Sequence, residues 1–439
     1  MNVLVLNFGS SNLKFRLLAS DEERALRNRD EQILSGRIEG ICGEASVKFR
    51  LHSQQGAEMI FHTPLADIPQ TVEFLARWIP AQLPGSSIRN IQDIQAVGHR
   101  VVHGGELFRE SAIVDDETLR GIDRCVHLAP LHNPANLAGI VAARAVFGEE
   151  TPQVAVFDTA FHQTLPERAF LYALPYEMYQ QFGIRRYGFH GTSHRYVAQR
   201  YAQIRRRGAA ESRIIILHLG NGCSAAAIRA GQSVDTSMGI TPLEGLIMGT
   251  RSGDLDPSLP RIISSAANLD ADEVDALLNH QSGLLGISGC ASDMRALEAA
   301  AQPGSGEEAS QADAARRARM ARLAIEMFCY RARKYVGAYL AALEGAEAIV
   351  FTGGIGENSP RIRARICEGF EWAGLRIDEA ANRGLVGIDG CFSTAESRLA
   401  AYVIPTDEEL MIARDTVRCL AAAAAAQPAS HSRVPIARE

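Results

Sequence analysis

Lysine is nearly missing from this chain: only Lys14, Lys48 and Lys334 accompany the arginines that make up the rest of its 45 cationic side chains. Nor do cations prevail. The 51 Asp and Glu leave a formal charge of -6, which excludes a general basic field for nucleic acid or anionic lipid and confines any anion site to a local cluster. No window approaches 18 uninterrupted apolar residues, so no membrane span is expected. The eight cysteines contain no C-x-x-C pair, which argues against a zinc site or a disulfide framework. They read as small buried hydrophobes in a reducing, cytoplasmic setting. No G-x-x-x-x-G-K-[ST] string occurs, so the nucleotide P-loop is absent. With 46% apolar and 22% charged residues the chain is neither disordered nor fibrous, and 439 residues allow two or three domains.

Short β-branched runs alternate with longer Ala/Leu/Arg-rich stretches of helical period, which predicts an α/β protein with mixed sheets. Strands are expected at 3–6, 13–17, 154–157, 214–217, 225–228 and 348–351. The apolar run at 1–7 lacks a cationic leader and reads as a first strand rather than a signal peptide. A long helix is expected from about Asp313 to Leu343, with Met320, Leu323, Met327, Val336, Tyr339 and Leu340 as its core stripe. The segment 302–306 reads as a loop, and the Ala-rich stretch from about 421 to 439 as a frayed, flexible tail.

One plan is written twice. Val3–Lys14 is a strand, a Gly/Ser/Asn turn and a second strand, and Ile214–Ala225 repeats it around Gly220-Asn221-Gly222. Two ordinary hairpins would explain the pair; two similar lobes, each offering a backbone-amide turn to a phosphate chain, would explain it equally well. Lys14 follows the first turn, where an ammonium could neutralise phosphate, and Asn7 and Ser10 could add neutral oxygens. A third glycine cluster, Thr352-Gly353-Gly354-Ile355-Gly356-Glu357-Asn358, follows a strand and precedes a helix expected from about Pro360. It does not fit G-x-G-x-x-G.

Arg100, in Gly98-His99-Arg100-Val101-Val102-His103-Gly104-Gly105, sits among apolar neighbours and needs an anionic partner. That partner is either an internal carboxylate or the carboxylate or phosphate of a substrate. Asp158 ends an expected strand, where α/β folds place reactive groups, although helix capping would serve as well. His190 and His194 have the i, i+4 spacing of a zinc pair, but Gly191 is a poor helix residue and no Glu follows His190. His132 lies between Pro130 and Pro134 in a rigid loop. Arg251 stands between Gly249 and Gly253, free of bulky neighbours.

Taken in order over about residues 2 to 415, these segments resemble the acetokinase family, within the actin, sugar kinase and heat-shock ATPase superfamily. The resemblance rests on Asn7 to Lys14, Gly98 to Gly105, Pro130 to Pro134, Phe157 to His162, Tyr187 to His194, His218 to Gly222, Gly249 to Gly253, Phe351 to Asn358 and Pro405 to Leu410. It implies a duplicated actin-like ATPase (ribonuclease H-like) fold of two lobes with mixed sheets flanked by helices. One lobe would take 1–155 plus about 404–420, and a nucleotide-binding and dimerisation lobe 156–403. The implied reaction is reversible phosphoryl transfer from ATP to acetate, giving acetyl phosphate and ADP, with Mg2+ or Mn2+ required.

Carried over residue by residue, the resemblance gives catalytic roles to Asp158, His190 and Arg251. Arg100 would hold the carboxylate, with His132 nearby and Val102, Leu131, Phe189 and Pro242 walling the acyl group. Lys14 would contact ATP phosphate. His218, Leu219, Gly220, Asn221 and Gly222, then Asp293, Met294 and Arg295, then Gly354, Ile355, Gly356, Glu357 and Asn358 would line the nucleotide site. Asn7 and Glu408 would lie near the metal. The first loop carries Phe8 and Asn12 where the family usually has Ala and Ser. A homodimer is implied, with no nucleic-acid or membrane partner. The alternatives are a propionate or other short-chain carboxylate kinase, a non-catalytic ATP-binding protein of the same superfamily, and a zinc hydrolase through His190 and His194.

Overall fold

The computed structural model describes residues 1–9, 11–52, 58–206, 208, 212–302 and 310–426. The chain divides into two compact units, Met1–Phe157 with the residues from Glu409 onward, and Asp158–Glu408. Strands of the first are β1 (Asn2–Phe8), β2 (Asn12–Ala19), β3 (Glu31–Glu39), β4 (Gly43–Leu51), β5 (Met59–Leu65), β6 (Ala96–Val101), β7 (Ala112–Ile113) and β8 (Gln153–Phe157). Those of the second are β9 (Arg213–Leu219), β10 (Cys223–Arg229), β11 (Gln232–Thr236), β12 (Ala348–Thr352), β13 (Gly390–Cys391) and β14 (Ala400–Val403).

The sheets run β5-β4-β3-β2-β1-β6-β8-β7 and β11-β10-β9-β12-β14-β13. In each, a three-stranded antiparallel meander (β3-β2-β1, β11-β10-β9) is extended by two parallel strands (β6-β8, β12-β14). The same α/β core is therefore present twice, with parallel strands ending together where such sheets place ligands. All six strands expected from the sequence lie inside observed ones.

In the first unit, one sheet face buries Leu4, Leu6, Phe15, Leu17, Leu34 and Val47 with Leu75 and Ile79 of the helix Ile68–Ala81. The opposite face buries Val3, Val5, Leu18, Ala96 and Val156 under Ile412, Ala413 and Val417 of the helix Glu408–Ala426. Gly98 permits that second packing, because a Cβ there would stand 2.6 Å from Thr416 Oγ1 and 2.8 Å from Ile412 Cγ2. Arg414 of this helix ties back to Asp30 at 2.6 Å. The helix runs without break through Ala426, so the tail expected from 421 begins no earlier than 427, and 427–439 lie outside the described residues.

In the second unit, Ile214, Ile216, Ala226, Ile228 and Val350 pack under Val197 and Tyr201 of the helix Gly191–Arg205. The long helix spans Gln311–Ala342, begun by Ser310, whose hydroxyl accepts from Asp313 N–H at 3.1 Å. Its buried stripe is Ala318, Ala321, Ala324, Ile325, Phe328, Ala332, Val336, Tyr339 and Leu340. Met327 is exposed, so the expected stripe is displaced in the first half of the helix: small alanines let the helix sit close, and the larger methionine faces out. The loop expected at 302–306 lies, from 303, outside the described residues.

Candidate active site

In the first unit, the antiparallel register sets Asn7 opposite Lys14, and β6 runs parallel to β1 on its other side. Asn7 is buried, Lys14 is exposed, and Arg100 near the end of β6 donates Nη1–H to Asn7 Oδ1 at 3.2 Å. Lys14, Asn7 and Arg100 thus form a polar row across β2, β1 and β6. The turn joining β1 to β2 closes with Gly9 N–H donating to Asn12 C=O at 2.8 Å; Ser10 lies outside the described residues. Phe8 is accommodated because Gly139 leaves the space its ring occupies.

The loop after β6 is pinned by the helix Asn133–Phe147. Asn136 accepts from Val102 N–H at 3.0 Å and donates to Phe8 C=O at 2.8 Å, while Asn133 accepts from His103 N–H at 3.1 Å and donates to its carbonyl at 2.9 Å. Two asparagines on one helix therefore hold the Asn7 and Arg100 ends of the sheet in one arrangement. His132 caps the helix without a side-chain cap bond, Val102 is buried and Leu131 is exposed. His99 is structural: it is buried, its Nε2 meets Gln153 Oε1 at 2.7 Å, and burial pushes its pKa down to about 4.

In the second unit, Asp158 is fully buried and its carbonyl accepts from Gly191 N–H at 2.9 Å. Any Cβ at Gly191 would run into that carbonyl, so the helix Gly191–Arg205 starts tight against Asp158. The residue before it, His190, is held at φ 56°, an unusual conformation for a non-glycine and one that marks a constrained position. Its ring stacks on His218 with centroids 4.3 Å apart. A side chain at Gly222 would begin 3.4 Å from His190 Nε2 and 3.6 Å from Arg251 Nη1. The imidazole edge and the guanidinium therefore converge on one small volume beside the 220–222 turn.

Arg251 is fixed by its loop. Met248 N–H donates to Arg251 C=O at 3.2 Å, Gly249 N–H to Asn221 C=O at 2.9 Å and Ser282 N–H to Thr250 C=O at 2.9 Å. Its own Nη1 donates to Pro242 C=O at 3.3 Å. The loop carrying Pro242 rests on Arg186, which pairs with Glu244 at 2.5 Å and donates to Ser237 and Met238 carbonyls at 3.1 Å each. Tyr172 donates to the same glutamate at 2.6 Å, and burial pushes that phenol's pKa up. The arginine-rich 185–186 segment is thus scaffolding: Arg185 lies 3.7 Å over the Phe170 ring. Phe189 is buried, its carbonyl taking Nε2–H of His162 at 3.0 Å.

His190 and His194 do not point at a shared metal. Both meet one hydroxyl, Ser224 Oγ, at 3.0 and 2.7 Å. Among the described residues no group of three or more His, Cys, Asp or Glu could hold a metal ion.

A cavity of about 570 Å³ in the second unit is lined by Gly220, Asn221, Asp293, Met294, Arg295, Gly354, Ile355 and Asn358, and also by Ser292, Glu298 and Ser359. The first eight include much of the set expected to meet a nucleotide; the last three carry no sequence signal beyond being polar. His218, Leu219, Gly222, Gly356 and Glu357 of the expected set are not among its lining residues. Leu219 and Gly356 are buried, and the Glu357 carboxylate accepts from Gly353 N–H at 2.8 Å and Thr406 N–H at 3.1 Å. Burial raises the Glu357 pKa. The expected Gly-rich turn is in fact a short helix, Gly353–Asn358, followed by the helix Pro360–Cys367. It can start there because Gly353 takes φ 75° and leaves no room for a Cβ, with the Leu219 backbone within 2.9 Å.

The sequence model described as the acetokinase family matches residues 2–414. An acetate kinase of Solibacter usitatus (strain Ellin6076) is 56% identical over 421 residues, covering 96% of this chain and 98% of its own. The crystal structure of Porphyromonas gingivalis acetate kinase superposes with a TM-score of 0.84 at 40% identity over 95% of this chain and 99% of that one. A propionate kinase from Francisella tularensis subsp. tularensis SCHU S4 superposes with a TM-score of 0.83 at 39% identity over 95% and 99%.

Proposed function

The chain belongs to the acetokinase family, and from that membership we infer that it transfers the γ-phosphoryl of ATP to acetate, reversibly, giving acetyl phosphate and ADP. The observation that carries the reading is the convergence of His190 Nε2 and Arg251 Nη1 beside Gly222. In the reaction, a carboxylate oxygen forms a bond to the γ phosphorus as the bond to the β,γ-bridging oxygen breaks, and the electron pair leaves with ADP. The carboxylate is already ionised at neutral pH, so no base has to take a proton from it. Catalysis is then positioning plus neutralisation of the equatorial phosphoryl oxygens.

His190 and Arg251 donate hydrogen bonds to those oxygens. Arg100 is assigned to the carboxylate together with His132, and Val102, Leu131, Phe189 and Pro242 are assigned to the acyl group. Asp158 orients the reactants, its backbone fixing the start of the helix that follows His190. The cavity bounded by Gly220, Asn221, Asp293 to Arg295, Gly354, Ile355 and Asn358 takes the nucleoside part of ATP, and Lys14 meets its phosphates. His218, Leu219, Gly222, Gly356 and Glu357 support that cavity.

A divalent metal fits the donors available. Asn7 in the first unit offers an amide oxygen and Glu408 in the second a carboxylate oxygen; such hard and sparse donors are of the type that suits Mg2+, which keeps waters and phosphate oxygens as its other ligands. The Asn7 oxygen that accepts from Arg100 retains a second lone pair. When bound, the ion supplies charge neutralisation of the phosphates.

A second carboxylate is favoured by one observation, the similarity to the Francisella propionate kinase. One methylene in an apolar pocket shifts discrimination by only about 1–3 kcal/mol, so acetate and propionate are both accepted with different kcat/KM. A cytoplasmic site of action accords with eight unbridged cysteines and with no helix among the described residues long and apolar enough to cross a membrane. Homodimerisation is supported by exposed apolar side chains of the second unit, Phe182 and Ile262 among them. The direct test is trapping of acyl phosphate as hydroxamate from ATP, Mg2+ and either acid. Nucleotide binding with no hydroxamate from any short-chain acid would overturn the assignment.

A further inference from the structure

We propose that Ser224 and His194 act as a hydrogen-bond relay that locks His190 in the tautomer carrying its proton on Nε2, the nitrogen that faces the transferring phosphoryl. The proposal rests on the reading of His190 given above and adds two positioning residues to it.

The geometry starts from a single hydroxyl. Ser224, fully buried on β10, places Oγ 2.7 Å from His194 Nε2 and 3.0 Å from His190 Nδ1. One hydroxyl owns one proton and can donate to only one ring, so the other ring must donate to it. The environment of His194 decides the direction. Its Nδ1 is buried with no hydrogen-bond partner among the described residues. If the His194 proton sat on Nδ1, a buried N–H would have no acceptor. With the proton on Nε2, only a lone pair goes unused, and orphaned buried donors are the rarer and costlier case. Burial and the neighbouring His162 and His218 hold the His194 pKa far below its ordinary value, so the ring carries one proton and not two.

His194 Nε2–H therefore donates to Ser224 Oγ, and Ser224 O–H donates to His190 Nδ1. A ring whose Nδ1 accepts keeps its proton on Nε2. That nitrogen is the one which converges with Arg251 beside Gly222.

The frame leaves the relay little freedom. Ser224 pairs with His218 across β10 and β9. His218 stacks on His190 and is held by Ser193, whose Oγ lies 2.8 Å from its Nδ1. His194 is one helical turn from His190, with its N–H on the His190 carbonyl at 2.9 Å. As a result, His190 presents an N–H to a developing negative charge without having to be charged itself.

The test combines 15N-imidazole NMR of the whole enzyme with steady-state kinetics. The His190 signals are identified by their loss in His190→Ala. In the wild-type protein a proton directly bonded to Nε2 and an unprotonated Nδ1 are expected. In Ser224→Ala the two tautomers should mix, and kcat should fall roughly ten-fold, the worth of about one buried hydrogen bond. Both KM values should stay within two-fold. Ser224→Thr, which keeps the hydroxyl, should restore kcat and the tautomer. A proton on His190 Nδ1 in the wild type, or a Ser224→Ala enzyme with unchanged kcat, would overturn the relay. If His190→Ala itself kept wild-type kcat, the role of His190 would fail; if it lost activity while Ser224→Ala did not, the relay alone would fail.

Discussion

Arg363 offers the sharpest test of how the nucleotide cavity is held. The side chain is fully buried and no carboxylate pairs with it among the described residues. Its five hydrogen bonds go to Gly356 C=O at 2.8 Å, Glu357 C=O at 3.1 Å, Asn382 Oδ1 at 2.9 Å, Asn382 C=O at 2.7 Å and Leu385 C=O at 2.7 Å. Two of these acceptors belong to the helix Gly353–Asn358, which lines the cavity through Gly354, Ile355 and Asn358. Arg363→Met keeps much of the volume and removes every donor. At about 1.5 kcal/mol per bond from a charged donor the loss over five bonds is about 7.5 kcal/mol. Burying a guanidinium without a counter-charge costs several kcal/mol, and that penalty disappears with it. A net destabilisation of about 3 kcal/mol follows. Urea titration by far-UV circular dichroism should show an earlier transition, and hydrogen exchange should accelerate in peptides covering 353–358 and 382–385. With the helix loosened, KM for ATP should rise roughly ten-fold while KM for acetate stays put, because about 1.4 kcal/mol of binding corresponds to a factor of ten. Arg363→Lys, limited to three donors, should fall between. An Arg363→Met enzyme with an unchanged urea midpoint and unchanged KM for ATP would refute the reasoning.

Further outcomes follow from the two halves of the chemistry. Arg251→Ala should lower kcat by roughly 10² or more, because its contact forms mainly in the transition state, whereas Arg100→Ala should chiefly raise KM for the carboxylate; initial-rate kinetics over both substrates separate them. His99 and His162 both have folded pKa values of about 4 through burial, below the ordinary 6.5. The folded chain then binds fewer protons than the unfolded one between those values. Each histidine's contribution, about 3 kcal/mol, is fully present above pH 6.5 and is lost as the pH falls through 4. Urea midpoints measured from pH 7.5 to 4 should drop accordingly, and His99→Gln should flatten the slope. Gly139→Ala would push a methyl into the Phe8 ring and should cost about 1–3 kcal/mol, read as an earlier urea transition.

Chain order and period made much of the fold legible. The six expected strands lie inside observed ones, most clearly where a compact apolar run is bounded by polar residues, as in Ile214–Leu217 between Arg213 and His218. The outer strands β3, β4 and β5 were not among those expected: in β4, Ala45, Val47, Phe49 and Leu51 are buried and Ser46, Lys48 and Arg50 between them are not, a period-two signal that its polar members weaken. The candidate site stood out in the sequence where a residue type is costly to keep without a partner, as with Arg100, or where glycines let the backbone pass close to something, as at Gly220, Gly222 and Gly353. It was illegible where the meaning of a residue comes from distant chain. Ser224 sits in Cys223-Ser224-Ala225 like any strand serine, and only the approach of two histidines from the Gly191–Arg205 region gives its hydroxyl a direction. The 353–358 segment looks like a turn because glycines dominate it. It becomes a helix because Glu357 reaches back to Gly353 and across to Thr406 while Arg363 holds its last carbonyls. These are bonds between neutral or singly charged groups inside the protein, where an unmade bond costs more than a made one contributes. The residues that hold such bonds are therefore as constrained as those that meet substrate, and a sequence alone marks only the second kind.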